Sequence, residues 1–481
     1  MNIILIISDT FRWDYLGCYG NNWISTPNLD RFARRSVIFD KAYAASFPTV
    51  PHRMDLVTGR FTFTYRQWEP LPKDEVALAE ILGENGYTTM LITDTPHILE
   101  DGYNFDRGFT GWEWIRGQET DRYMTDPVEV KLPCAPHKLR TPEIVKRHLR
   151  NISQRRGEED CFVAQTMLTA AKWLQRNYEN EKFFLWVDTF DPHEPWDAPK
   201  CYVEKYDPGY RGEEIIYPVY GSSDYLTQTE LKHIRALYAA EVTLVDRWVG
   251  MLLQKIEDLG LFDNTAVIFT SDHGFYLGEH NLVGKSIISE NLFQYVPLYE
   301  ELARIPLFIW LPELKRSFRC SSFVQPPDLT ATTLDIAGLK RNERIQGKSL
   351  LPIIEGKDSL LRNIAVSSPS LVNGRLGAPR ITLRKENWSL ILASSKRRED
   401  TKKETRAVDG ITRNLVGFEL KNSSEEVKSE LYDVSKDPRQ EKNIFIGNKD
   451  KVDELHSDLI EFLIQIRTEE EYLKYWKKTG D

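Results

Sequence analysis

The chain has 481 residues, of which 41% are hydrophobic and 28% are charged, and its formal net charge is -9 at pH 7. This length allows two domains with a large buried core, and an acidic balance without a long basic block argues against nucleic acid as a partner. No stretch approaches the roughly 20 consecutive apolar residues that cross a bilayer, so we expect no membrane partner either.

The amino-terminal run and the cysteines predict a cytoplasmic protein. The apolar run at residues 3–7 has no basic flank before it, is too short for a signal peptide and is soon followed by the acidic Asp9. We therefore interpret it as a buried strand of a parallel sheet. The five cysteines are scattered without CxxC spacing, which indicates reduced thiols and argues against a disulfide framework or a zinc site built from them.

Strand-like and helix-like segments alternate through the first three-quarters of the chain. Apolar runs predict strands at residues 3–7, 37–39, 88–93, 182–187, 266–270 and 306–310. Helices are predicted at residues 26–33, with Thr26 as the N-cap and Pro27 at the first position, and at residues 77–82, 229–259 and 328–338. This alternation predicts an α/β fold in which helices flank a mostly parallel central sheet.

The pattern changes near residue 365. Short runs at residues 381–384, 388–392 and 430–434 predict antiparallel strands, residues 396–406 predict a charged, solvated loop, and residues 452–467 predict a helix. We therefore divide the chain into an α/β domain of residues 1–365 and a smaller α+β subdomain of residues 366–481, which carries an antiparallel sheet.

Three polar residues fall just after predicted strands. These are Asp9, His193 and Asp272. Because ligands of open α/β sheets bind beyond the carboxyl ends of the strands, we expect these side chains to share one site.

A proline-rich stretch at residues 46–60 contains a hydroxyl, Thr49, and a basic residue one helical turn later, Arg53. Pro51 favours a first helical turn, and the N–H groups at a helix start favour an anion. Arg53 could hold the oxygens of a bound sulfate or phosphate through a fork of hydrogen bonds. On local chemistry alone, the alternative is an ordinary turn before a helix.

The same stretch resembles the sulfatase signature Cys/Ser-x-Pro-x-Arg-x-x-Leu-x-Thr-Gly-Arg, in a register fixed by Arg53, Leu56, Thr58, Gly59 and Arg60. Further sulfatase-like motifs follow in the family's order: Asp272-His273-Gly274, Gly284-Lys285-Ser286, and the Leu-Tyr-Asp element that starts at Leu431. The resemblance runs nearly the full length of the chain. It implies an alkaline-phosphatase-like fold whose residues 1–365 form the catalytic domain.

The resemblance also implies a site for one divalent metal ion, with Asp9, Asp272, His273 and the Thr49 oxygen as ligands. Calcium-type sulfatases commonly have a second aspartate where this chain has Thr10, and often an asparagine where it has His273. A mixed set of nitrogen and oxygen ligands with few carboxylates favours manganese or zinc, with calcium as the remaining choice. In this metal motif the chain is nearer to phosphonate monoester hydrolases.

By the same resemblance, Thr49 stands at the nucleophile position, and His193 and Lys285 contact the ester oxygens. His193 or Lys285 would protonate the leaving group, and His97 would bind the substrate. Sulfatases oxidise a cysteine or serine at the nucleophile position to formylglycine. A threonine cannot become that aldehyde, so no formylglycine is expected.

We therefore expect a metal-dependent hydrolase that cleaves a sulfate ester, or a related phosphate or phosphonate ester, of a small anionic molecule. One alternative is a one-metal phosphodiesterase or phosphonate monoester hydrolase specifically. The other is a non-catalytic descendant that binds anionic ligands such as sulfated sugars, although a pure binder has no use for a complete metal site. The sequence leaves open whether the protein forms a homo-oligomer.

Overall fold

The computed structural model describes residues 1–289, 292–358, 360–372, 378–395 and 427–478. They form two compact units, each built from separate stretches of the chain. The first unit comprises Met1–Asp40, Val76–Gly284 and Ile305–Cys320, and the second comprises Lys41–Glu75, Lys285–Arg304 and Ser321–Asp481. The predicted domain boundary near residue 365 stays a prediction.

The described strands, in chain order, are β1 (Asn2–Ser8), β2 (Val37–Ala42), β3 (Thr88–Thr93), β4 (Gly111–Trp114), β5 (Phe183–Thr189), β6 (Gly221–Ser222), β7 (Thr265–Thr270), β8 (Tyr276–Leu277), β9 (Leu282–Gly284), β10 (Ser286–Ser289), β11 (Leu292–Tyr295), β12 (Leu307–Trp310), β13 (Phe318–Val324), β14 (Ile364–Ser367), β15 (Arg380–Lys385), β16 (Trp388–Ala393) and β17 (Glu430–Asp433).

The described α-helices are α1 (Pro27–Arg35), α2 (Thr49–Thr58), α3 (Leu78–Glu84), α4 (Pro142–Asn151), α5 (Phe162–Asn177), α6 (Lys200–Tyr206), α7 (Gln228–Asp258), α8 (Glu300–Ala303), α9 (Pro326–Ile336), α10 (Leu351–Ile354), α11 (Lys449–Gln465) and α12 (Glu470–Leu473). Within the described ranges, no helix combines the length and the apolar character needed to cross a membrane.

The central sheet has the order β13-β2-β12-β7-β1-β5-β3-β4. Strands β7, β1, β5, β3 and β4 are parallel neighbours, whereas β12 runs antiparallel to both β7 and β2. Strands β1, β5 and β7 are buried along their whole length. Because such a parallel sheet is covered on both faces, its strands consist of nearly continuous apolar runs. The predicted mostly parallel α/β fold is confirmed.

The helices of the first unit pack on this sheet and on one another. Helix α5 contacts β5 and β3, and α3 contacts β3. The longest helix, α7, contacts α1, α5 and α6 and starts with a capping box between Thr227 and Glu230.

The predicted cap of α1 is only partly right. Pro27 occupies the first helical turn as predicted, and Thr26 occupies the N-cap position, but the Thr26 side chain makes no capping hydrogen bond. Its Oγ1 instead accepts the Gly17 N–H, 3.0 Å away. The helix N–H groups of Asn28 and Leu29 are accepted by the carboxylate of Asp246 on α7, at 3.2 and 2.7 Å.

The second unit contains an antiparallel sheet of order β14-β15-β16-β17, which confirms the predicted antiparallel α+β character of the C-terminal region. Helix α11 packs on β15 and β16. The apolar core between them includes Phe61, Leu383, Leu390, Leu455 and Leu459. The predicted charged loop at residues 396–406 lies outside the described residues.

We predict that Asp246→Ala lowers the free energy of unfolding by about 2 kcal/mol, because two N–H groups at the start of α1 lose their acceptor. Urea denaturation measures the loss. The matched control is Asp258→Ala, an exposed aspartate on the same helix, which should change stability by no more than about 0.5 kcal/mol. Equal effects of the two substitutions would contradict this account of the α1 cap.

Candidate active site

In the first unit, the carboxyl ends of four parallel strands lie side by side in the order β7, β1, β5 and β3. Register pairs Ile7 of β1 with Thr270 of β7 and with Asp188 of β5, so the strands end at nearly the same level. Asp272, Asp9, His193 and His97 follow these strands in that spatial order. The strand-end residues singled out from the sequence therefore lie along one edge of the sheet.

Asp9, Asp272 and His273 form what we call the acid cluster. All three side chains are fully buried, and each has a ligand atom within 4.8 Å of the others. These are the three protein groups that the resemblance implies as metal ligands in this unit.

Thr10 holds the two carboxylates of the acid cluster. Its N–H donates to Asp272 Oδ1 at 2.8 Å, and its hydroxyl donates to Asp9 Oδ1 at 2.6 Å. To make both bonds, Thr10 adopts a φ of 61°, a left-handed conformation that costs a β-branched residue about 1–3 kcal/mol. Where calcium-type sulfatases commonly have a second aspartate, this chain has a hydrogen-bond donor that fixes the orientation of the other acids.

The chemistry of the acid cluster fits a divalent cation. His273 Nδ1 lies 2.9 Å from the carbonyl oxygen of Gly274, which can only accept, so Nδ1 carries the proton. In a neutral imidazole the lone pair is then on Nε2, which lies 3.5 Å from Asp272 Oδ2. A cation bound between His273 Nε2 and Asp272 Oδ2 would remove the electrostatic repulsion between the imidazole lone pair and the carboxylate.

In the second unit, Thr49, Arg53 and Lys285 lie together at the start of α2. Thr49 is the first residue of the helix, and all ten residues of the helix are buried. Lys285 Nζ donates to Thr49 Oγ1 at 3.2 Å, and Arg53 Nη1 donates to the Thr49 carbonyl oxygen at 3.2 Å. Two cationic side chains therefore contact the residue that stands at the nucleophile position of the signature.

Asp55, on α2, ties this helix to the residues that precede and follow it in the chain. Its carboxylate accepts the N–H and the hydroxyl of Ser46, at 2.8 and 2.7 Å, and those of Thr62, at 2.8 and 2.6 Å. Burial raises the pKa of Asp55 to about 7, and the hydrogen bonds from Thr62 and Ser46 oppose that shift.

His97 and His193 belong to one ionic network in the first unit, which we call the histidine network. His97 Nε2 lies 2.9 Å from Glu119 Oε2, and His193 Nδ1 lies 3.2 Å from Glu194 Oε2. Arg140 contacts both carboxylates, with its Nη2 at 2.7 Å from Glu119 and 3.1 Å from Glu194.

Glu119, His193 and Glu194 are also close enough to share a metal ion, since their ligand atoms lie within 4.8 Å of one another. However, the Arg140 guanidinium already supplies positive charge to both carboxylates. Burial would raise the pKa of Glu119, but the hydrogen bond from His97 and the charges of His97 and Arg140 hold it well below its usual range. We therefore describe this group as an ionic network.

A family model described as Sulfatase matches residues 1–339. The chain belongs to the sulfatase family. It is 25% identical to an arylsulfatase of Clostridium perfringens over 417 residues, which cover 75% of this chain and 80% of that protein. Membership in this family, to which the chain is similar through this arylsulfatase and an N-acetylglucosamine-6-O-sulfatase of Bacteroides thetaiotaomicron, makes the chain a hydrolase.

Two solved structures show the same fold as this sulfatase-family protein. One, in complex with its substrate D-glucosamine-2-N,6-O-disulfate, gives a TM-score of 0.71 at 21% identity, covering 98% of this chain and 99% of the other. The other is a phosphonate monoester hydrolase of Agrobacterium radiobacter, with a TM-score of 0.71 at 20% identity, covering 97% and 95%. The alkaline-phosphatase-like fold expected from the motifs is confirmed, and the roles of individual residues stay predictions.

Sequence reasoning missed the acidic and basic partners of the two histidines. Glu194 directly follows His193, so that pair could have been noticed in the sequence. Glu119 and Arg140 stand outside the regular strands and helices, and no motif or periodic pattern marks them. The anchoring role of Asp55 was missed as well, because an aspartate within a helix is usually solvated.

We predict that Asp55→Asn destabilises this sulfatase-family protein by about 2 kcal/mol near pH 5, because an amide N–H then faces a donor. The difference from the wild type should narrow as the pH rises to about 7. The pKa of Asp55 is higher in the folded protein than in the unfolded chain. The stability of the wild type therefore falls, by up to about 1.4 kcal/mol per pH unit, as the pH rises from the unfolded-state pKa to the folded-state pKa. The asparagine of the variant does not titrate, so the variant lacks this pH dependence.

Urea denaturation of both proteins between about pH 5 and pH 8 measures this change. The exposed Asp453 provides the control substitution Asp453→Asn, which should leave the pH dependence unchanged. A stability difference that widens with pH would show that the protein stabilises the Asp55 carboxylate, contrary to the raised pKa.

Proposed function

We propose that this protein hydrolyses a small anionic ester of sulfate, phosphate or phosphonate, with Thr49 as the nucleophile. The observation that carries the proposal is the buried contact between Lys285 Nζ and Thr49 Oγ1, at 3.2 Å. An ammonium group at this distance stabilises negative charge that develops on the threonine oxygen. The position of Thr49 at the start of a helix acts in the same direction.

In the proposed reaction, the Thr49 hydroxyl loses its proton to solvent and its oxygen bonds to the sulfur or phosphorus atom. The bond from that atom to the alcohol oxygen breaks, and the leaving alcohol takes its proton from His193. Water then attacks the covalent intermediate, which releases the inorganic or phosphonic acid and restores the hydroxyl. Arg53 would bind the ester oxygens, since its planar fork suits a tetrahedral oxyanion. His97 would also contact the substrate.

Asp9, Asp272 and His273 would hold one divalent cation, and this mixed nitrogen and oxygen set favours manganese or zinc over calcium. A bound cation would supply positive charge against the oxyanion of the ester. The further ligand that the resemblance implies, the Thr49 oxygen, stays a prediction.

Thr49 itself favours a second, narrower candidate, in which the substrate is a phosphate diester or a phosphonate monoester. A formylglycine hydrate expels sulfate by elimination, so no water needs to attack sulfur. A threonine ester has no such route, and its intermediate must be cleaved by water. Phosphorylated threonine can be cleaved in this way when positive charge is spread over the phosphoryl oxygens, as Arg53 and a cation would do.

We predict that Thr49→Ala lowers kcat at least about 10³-fold, whereas Thr49→Ser retains activity within about tenfold, because serine keeps the attacking hydroxyl. The assay uses 4-nitrophenyl sulfate, 4-nitrophenyl phosphate, bis(4-nitrophenyl) phosphate and 4-nitrophenyl phenylphosphonate. Mass spectrometry of the acid-quenched enzyme should show a sulfuryl or phosphoryl group on the Thr49 peptide. Full turnover by Thr49→Ala would remove Thr49 as nucleophile, and no turnover on any ester would favour the binding protein.

We also predict that Asp272→Asn weakens binding of Mn²⁺ or Zn²⁺ by at least about tenfold, because a charged ligand is lost. Thr10→Val should weaken it by about tenfold through the lost hydrogen bond to Asp9, and Thr10→Ser should bind normally, because it keeps the hydroxyl. Titration calorimetry measures the affinities, and Asp258→Asn is the control. Unchanged affinity in Asp272→Asn would place the metal elsewhere.

A further inference from the structure

We propose that Glu119 and Glu194 are positioning residues, which act through His97 and His193 and are held in place by Arg140. The inference rests on the proposed function, in which His193 protonates the leaving group and His97 contacts the substrate. It adds an account of what orients these imidazoles and which charges lie beside them. The contacts of His193 fix which of its two nitrogens can exchange a proton.

The tautomer of His193 is determined by Glu194. The Nδ1 atom lies 2.6 Å from the backbone carbonyl oxygen of Glu194 and 3.2 Å from its carboxylate. A carbonyl oxygen only accepts hydrogen bonds, so Nδ1 keeps its hydrogen, and any proton that His193 transfers must be on Nε2. The ring also stacks on Phe190, with centroids 4.0 Å apart and planes inclined by 25°, which restricts its rotation.

Glu119 holds His97 through the opposite ring nitrogen. His97 Nε2 lies 2.9 Å from Glu119 Oε2, and the His97 ring meets Phe190 edge-on at a centroid distance of 5.6 Å. Phe190 therefore contacts both imidazoles, and each imidazole has a glutamate of its own. The two histidines are fixed by one aromatic ring and two carboxylates.

Arg140 joins the two glutamates into one rigid group. Its guanidinium contacts both carboxylates and lies 4.2 Å from the ring centroids of Tyr217 and Tyr220. The hydroxyl of Tyr217 donates to Glu119, and that of Tyr220 donates to Glu194. Because the carboxylates are bound from several sides, they can hold the imidazoles without moving themselves.

The charges of this group place one carboxylate beside each imidazole. Two carboxylates and one guanidinium sum to one negative charge, and all three side chains are at least nine-tenths buried. An imidazolium at His193, the form in which it would act as a general acid, would have the buried Glu194 carboxylate as its partner. Glu194 contacts the histidine that the proposed reaction uses as the acid.

The first experiment compares Glu194→Gln with His193→Ala on the 4-nitrophenyl and phenyl esters of the acid that the wild type turns over. Phenolate is the poorer leaving group and depends more on protonation. We expect His193→Ala to lose about 100-fold more kcat on the phenyl ester than on the 4-nitrophenyl ester. Glu194→Gln should also lose more kcat on the phenyl ester than on the 4-nitrophenyl ester, by about tenfold, because a neutral amide replaces the charged partner of His193. Its KM should be unchanged.

The double variant then separates positioning from a structural role. If Glu194 acts through His193, adding Glu194→Gln to His193→Ala costs no further activity on the phenyl ester. The corresponding pair for the other half of the network is Glu119→Gln with His97→Ala, in which the increase in KM should be equally non-additive. Thermal denaturation of each variant reports whether it is folded.

Tyr220→Phe provides a milder variant, which removes only the hydroxyl that donates to Glu194. Its kcat should fall a few-fold more on the phenyl ester than on the 4-nitrophenyl ester. The matched control is Tyr225→Phe, whose hydroxyl donates to the Val219 carbonyl oxygen outside the network, and it should show no preference.

The outcomes distinguish the two proposals. An equal loss on both esters in His193→Ala would overturn the acid role of His193 and, with it, this inference. A preference in His193→Ala that is missing from both Glu194→Gln and Tyr220→Phe would overturn the inference alone. Additive losses in the double variant would do the same, since they would show that Glu194 acts independently of His193.

Discussion

The parallel pairing of β1 with β7 on one side and β5 on the other is the constraint on which the first unit depends. These strands are buried along their whole length, and their one charged side chain is Asp188, next to last in β5, whose carboxylate accepts hydrogen bonds from Thr95 and Trp186. Because the register makes the strands end level, the chemistry-bearing residues that follow them collect at one edge. The acid cluster and the histidine network are consequences of that register, although they come from distant parts of the sequence.

Burying so many ionisable groups requires a partner for each, and the fold supplies different kinds. The acids of the cluster take hydrogen bonds from Thr10, whose left-handed backbone is a local cost of that arrangement. Glu119 and Glu194 share Arg140, whereas Asp55 is surrounded by hydroxyl and N–H donors alone. Burial raises the pKa of Asp55, which has only neutral donors around it, whereas the hydrogen bond from His97 and the charges of His97 and Arg140 hold the pKa of Glu119 below its usual range.

The sequence predicts the elements whose cause is local. Apolar runs locate β1, β3, β5 and β7, because burial on two faces leaves a continuous apolar run. The spacing of apolar residues locates α7, because burial of one stripe of a helix leaves a periodic pattern. It fails where the partner is remote: the cap of α1 comes from Asp246, which is distant in the chain, and no rule of spacing relates Glu119 to Arg140 or to His97. The strand-end acids could be predicted because a strand end is itself a local feature. How they are held could not, since that depends on which loops the fold brings together.

Thr49 and the histidine network are connected by the proposed chemistry. A formylglycine enzyme releases sulfate by elimination, so the group that protonates the leaving alcohol has no water to activate afterwards. With a threonine ester, water must attack, and by microscopic reversibility the acid of the first step becomes the base of the second. In that proposed cycle, His193 would give a proton and take one back at the same nitrogen. A fixed tautomer, with Nδ1 held by the Glu194 carbonyl and a carboxylate beside it, suits that double task, because the ring need not rotate between the two steps. In the proposed reaction, a threonine nucleophile would therefore require more of the histidine as well as of residue 49.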